Sequence, residues 1–123
     1  MDRMTLSVGH TPDGESVRIE TVKDGKVVGR IVFDAVSTDQ CVRNIAKHRA
    51  ALSDPVAPSL DPGARLQPVA DAAWSVLPGR DGKVVVAMRD PGLGWCSFSV
   101  DPAEAKAMAK RLEKLAEDAV AAS

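Results

Sequence analysis

The side chains best suited to nucleophilic chemistry are Cys41 and His48, seven positions apart in a stretch with helical periodicity. A thiol in the first turn of a helix is drawn toward its thiolate by the macrodipole, and a histidine on the same side could act as its base. The spacing argues against that pair, because seven residues rise about 10 Å along a helix, beyond direct hydrogen-bond reach. A small cysteine-dependent enzyme centred on Cys41 or His10 is therefore the weakest functional reading, and no enzymatic activity is expected. His10, with Asp13 and Glu15 nearby, offers metal-ligating side chains, yet their spacing matches no recognised ligand pattern. No metal or other cofactor is expected. Gly92-Leu93-Gly94-Trp95 holds two glycines but leads into a strand, where no helix N-terminus is available to hold a phosphate.

Basic residues suggest a different chemistry. Arg18, Lys26 and Arg30 share one face of an expected hairpin, and Arg43, Lys47 and Arg49 lie on the helix that follows. A nucleic-acid accessory protein would use Arg18, Arg30, Arg43 and Lys47. Against it stand a net charge of −1, the interspersed Glu20, and the lack of aromatic pairs on which bases could stack. The apolar surface is more informative. Val28 and Val32 fall on the polar face of the hairpin, and Leu93 and Trp95 sit beside a turn. Exposed Trp is enriched among interface anchors, so Leu93, Trp95, Val28 and Val32 are the candidate residues for a protein partner. An unpaired edge strand also invites pairing with a second copy, which makes a homodimer the natural assembly.

These residues must be positioned by an aliphatic domain. The chain has 123 residues, 45% hydrophobic and 27% charged, close to globular averages, whereas aromatics make up only 3% and Tyr is absent. Two cysteines suit a reducing compartment, and neither a signal peptide nor an apolar run of membrane-spanning length is visible. The expectation is a cytoplasmic protein.

The run Asp-Gly-Lys-Val-Val occurs twice, from Asp24 and from Asp81, and marks two hairpins. For the first, a three-residue loop Lys23-Asp24-Gly25 with Gly25 left-handed sorts the faces. Val17, Ile19, Thr21, Val27, Gly29, Ile31 and Phe33 then oppose Arg18, Glu20, Lys26, Val28, Arg30 and Val32. Ser37 and Gln40 match a capping box opening a helix to about Leu52, with Cys41, Ile45 and Leu52 on one side. Residues 53–68 carry four prolines and read as a crossover between halves 1–52 and 69–123 of a single domain. In the second half, aligning the repeats makes Trp74 a core residue, while Cys96, Phe98 and Val100 alternate with an exposed Trp95. Asp101-Pro102-Ala103-Glu104 begins a helix with a stripe of Ala105, Met108, Leu112, Leu115 and Ala119. The expected fold is α+β in the order βββα-βββα, an internal duplication with one antiparallel sheet of five to six strands and both helices packed on one face. Its expected role is a non-catalytic protein-binding module, of adaptor or inhibitor type, acting through a sheet face or edge and the loop around Trp95.

Overall fold

A computed structural model describes residues 3–123. The chain divides into two compact units, Met1–Ala64 and Arg65–Ser123. The first holds strands β1 (Met4–His10), β2 (Val17–Lys23) and β3 (Lys26–Phe33), then helix α1 (Ala35–Ala50). The second holds β4 (Trp74–Pro78), β5 (Val84–Asp90) and β6 (Gly94–Val100), then helix α2 (Pro102–Ala122). The α+β class and the βββα-βββα order are as expected. The single sheet is not: β1-β2-β3 and β4-β5-β6 form two separate antiparallel sheets of three strands. Hairpin pairing is written locally in turn residues, whereas the partner of an edge strand is decided by long-range packing that strand alternation does not encode.

The first hairpin reaches its expected facing by a different route. Lys23 pairs with Lys26, so the loop is the two residues Asp24 and Gly25, at φ 53° and 78°, the paired left-handed conformation of a type I′ turn. An extra residue is then absorbed as a bulge, with Val27 opposite Val22 and Gly29 opposite Thr21, and this restores Ile19 against Ile31 and Val17 against Phe33. Val27 thereby joins Val22 on the Glu20 face instead of the Ile19 face, and Lys26 joins Lys23 on the Ile19 face, away from Arg18 and Arg30, because directly opposed residues share a face. The bulge brings β3 close beneath Thr21. A Cβ added at Gly29 would lie 2.7 Å from Thr21 Oγ1.

The repeated Asp-Gly occupies the same local conformation in both places, with Asp81 and Gly82 at φ 55° and 74° and Lys83 N–H donating to the Arg80 carbonyl at 3.1 Å. Its topological place differs. The first copy joins β2 to β3, the last two strands of its unit, and the second joins β4 to β5, the first two of its own. The repeat is a recurring turn, and does not put the two units in the register that a duplication would require.

Helix α1 starts three residues ahead of the expected box. Asp34 is its N-cap, its carboxylate accepting from Ser37 N–H at 2.8 Å while Thr38 Oγ1 donates to the Asp34 carbonyl at 2.7 Å. Ser37 thus supplies the capped amide, not the cap. Asp at this position satisfies an orphan amide and places negative charge at the positive end of the helix dipole. Helix α2 begins at Pro102 as expected. The Asp101 carboxylate makes no capping bond, being paired with Lys83 Nζ from the β4–β5 loop.

Little of this structure is buried. Among the described residues only Ala87 and Glu20 fall below a tenth of their full exposure, at 7% and 8%. Neither helix contributes a buried residue, so the expectation of two helices sealing one sheet face is not met. Trp74, expected in the core, is 69% exposed; it stands on the apolar face of β4, opposite Met88, but that face is open.

The Gly29–Thr21 approach gives a direct test. Gly29→Ala should destabilise the first unit by roughly 1–2 kcal/mol, through the contact with the threonine hydroxyl. Adding Thr21→Ala should recover most of that loss, read as non-additive shifts of the denaturation midpoint. Additive losses would show that the close approach is not the cause.

Candidate functional site

Each sheet has one face on which apolar side chains predominate, broken on the first by His10, Thr21, Lys23 and Lys26. In the first, Val8, Ile19 and Ile31 stand in a row across three strands, flanked by Leu6 and Met4 on β1 and by the Val17–Phe33 pair. Met4, Leu6, Val8 and Ile31 are all more than half exposed, so nothing in their own unit covers them. At the Phe33 end the face runs into an open groove of about 640 Å³ along α1, lined by Phe33, Cys41, Ile45, His48 and Leu52 among others. In the second sheet the rows are Trp74, Met88 and Cys96, then Val76, Val86 and Phe98, then Pro78, Val84 and Val100. Phe98 is 65% exposed and Trp74 nearly the same.

The opposite faces are different in kind. On the first sheet, buried Glu20 lies between two guanidinium groups, ion-paired with Arg18 Nε at 2.7 Å and accepting a hydrogen bond from Arg30 Nη2 at 3.5 Å. One carboxylate is thereby shared by two guanidinium groups, which leaves a single positive charge in excess at this cluster. On the second sheet, Trp95 faces with Arg89, Ala87 and Leu77, and is 55% exposed.

The candidate residues distribute accordingly. Val28 and Val32 are exposed on β3 in the first unit, whereas Leu93 and Trp95 are exposed at and beside the β5–β6 turn of the second, so they form two pairs, one in each unit. Of the basic set, Arg18 and Arg30 are drawn together at Glu20. Arg43 and Lys47 are one turn apart on α1, roughly opposite the groove-lining residues on the helical wheel, and do not extend that cluster. Cys41 and His48 do share one side of α1, as their spacing implies, with both thiols of the chain free. His10 sits in a shallow depression with Glu15, Thr38 and Asp39. Nothing in the residue pattern signals that Thr38 and Asp39 of α1 line the same depression as His10. Among the described residues no three His, Cys, Asp or Glu side chains converge as a metal site. Asp13 is engaged locally, accepting from Glu15 N–H at 3.0 Å and from the Thr11 hydroxyl, and the hydroxyl above all holds its carboxyl below the usual range.

The turn that presents Leu93 and Trp95 is held by Asp90. Its carboxylate accepts from Leu93 N–H at 2.9 Å and Gly92 N–H at 2.8 Å, and these bonds, Leu93 first, lower its pKa from the ordinary aspartate value. Gly94 follows at φ 78°, a conformation that suits glycine. What the sequence does not reveal is the exposure of Trp74, Val76, Phe98, Leu6 and Ile31. Alternation shows which residues share an apolar face and not whether that face is covered.

No protein-family model, curated protein or solved structure matches this chain. No helix among the described residues is long and apolar enough to cross a membrane.

Because the Asp90 carboxyl is depressed in the folded turn, its contribution is complete above the ordinary aspartate pKa and is lost as pH falls through the depressed value. In a Trp74→Phe variant, Trp95 emission should change across that acidic window before global unfolding. Asp90→Ala should abolish the step, and a step that survives the substitution would place its origin elsewhere.

Proposed function

We propose that this protein is a non-catalytic protein-binding module whose contact surfaces are the open apolar faces of its sheets. The observation that carries the reading is the row Trp74, Val76, Val86, Met88 and Phe98, an apolar face that nothing in its own unit covers. Contiguous exposed apolar surface on this scale marks an interaction site more often than an inert surface. A tryptophan and a phenylalanine at its centre provide the large side chains that carry binding energy when a partner excludes water. The turn held by Asp90 sets Leu93 and Trp95 beside the same sheet on its other side, and would widen contact for a partner that wraps the β5–β6 end. The compartment in which it acts follows the partner, and the reducing environment suggested by two free thiols is consistent with the cytoplasm.

Nucleic-acid binding through Arg18, Arg30, Arg43 and Lys47 is the weaker reading, since Glu20 offsets one of the two hairpin arginines and holds both side chains, and the overall charge is −1. Phe98→Glu places a charge on the open face without filling a core, and the variant should keep its far-UV circular dichroism. Capture from lysate should recover a stoichiometric protein with the wild-type chain, unaffected by nuclease, and lose it with Phe98→Glu. Recovery that vanishes with nuclease, or that is indifferent to Phe98→Glu, would refute this function.

A further inference from the structure

We infer that α2 is the seam of a homodimer, in which two copies of the helix pack antiparallel with Leu112 of one against Leu115 of the other. The surface is separate from the sheet faces. Helix α2 runs 21 residues with no buried side chain, and its stripe is open: Met108 is 38% exposed, Leu112 67% and Leu115 47%. The spacing of that stripe is heptad spacing. Ala105, Leu112 and Ala119 occupy one core position, and Met108, Leu115 and Ala122 the other, over the whole helix. Lys106, Lys110, Glu113, Lys114 and Glu117 keep to the outer positions.

Which partner fits is decided by what the flanks hold. In an antiparallel pair the two core positions face each other, and one register sets the leucines together at the centre and each Met against an Ala. Leu112 meets the partner's Leu115, Met108 meets the partner's Ala119, and Ala105 meets the partner's Ala122, each twice by the two-fold axis. In the same register the residues just ahead of the first core position face their own kind, which sets Arg111 against the partner's Asp118, again twice. On the other flank Ala109 faces the partner's Ala116, two small side chains that let the helices approach closely. A parallel pair keeps the leucine layers but loses the charge match: it sets Arg111 beside the partner's Ala116, with no opposite charge, and stacks Met on Met. Asp118 Oδ2 is paired with Lys114 Nζ at 3.1 Å on its own helix, an exposed contact that leaves its other oxygen to accept from an arginine across the seam. A second copy therefore brings size and charge complementarity that this helix already carries.

The test is sedimentation velocity on the full chain from micromolar to millimolar concentration. A concentration-dependent dimer is expected. Leu115→Lys, on an exposed position, should weaken it by roughly 100-fold or more, since the two-fold axis counts the lost layer twice. Arg111→Asp should weaken it by about tenfold, and Arg111→Asp combined with Asp118→Arg should restore it, a recovery that no folding defect can imitate. Orientation is read by electron spin resonance from a spin label at Ala103→Cys in a Cys41→Ser, Cys96→Ser background. The antiparallel seam sets the two labels about 30 Å apart along the axis, whereas a parallel one sets them side by side. A monomer at every concentration, a dimer indifferent to Leu115→Lys, failure of the charge swap to rescue, or labels side by side would each overturn the inference.

Discussion

Backbone pairing across β2 and β5 holds each unit together, because each of these central strands satisfies a neighbour on both sides while the side chains on its apolar face meet no covering layer. A two-stranded hairpin alone is marginal, and the third strand with a hydrophobic face is what brings each sheet to independent stability. Here the covering layer is missing within each unit, so the hydrogen-bonded ladders and their turns carry the architecture and the apolar faces are left to be completed. That imbalance explains why a chain with 45% hydrophobic residues shows so few buried ones.

Turn chemistry is correspondingly prominent. Two Asp-Gly pairs in left-handed conformation set two hairpins, and the carboxylates of Asp34, Asp13 and Asp90 each accept from backbone amides at a helix start or a loop. These carboxylates act close to their own sequence neighbours, which is why their effects are local and acid-sensitive. Glu20 differs. It is a buried carboxylate between two arginines from adjacent strands, and it ties the polar face of the first sheet together across the β2–β3 pair.

The sequence made the local features legible and left the long-range ones hidden. Strand limits, the alternation of Cys96, Phe98 and Val100 against Trp95, and Pro102 at the start of α2 all follow from short-range pattern and are present. A three-residue loop and a two-residue turn followed by a bulge give the same parity for Val17, Ile19 and Ile31, and differ at Lys26 and Val27, so the facing of the first hairpin follows from the pattern except beside the turn. The Asp34 cap was overlooked for a Ser37 box that looked stronger in sequence. Trp74 was read as core because alternation shows which residues share a face, and says nothing about what lies on it. The joining of six strands into one sheet failed for the same reason. Of the candidate site, Trp95 and Leu93 were identified as exposed, while the larger surface around Trp74 and Phe98 was hidden by the expectation of a closed core.

An account in which the apolar sheet faces await a partner stands or falls on Trp74. The most direct measurement is acrylamide quenching of the single tryptophan left in a Trp95→Phe variant of the purified chain. Red-shifted emission and a quenching constant near that of a solvated indole are predicted, matching an open face. Blue-shifted emission with strong protection from quencher in the purified protein would mean that the face is already closed, and would contradict the account.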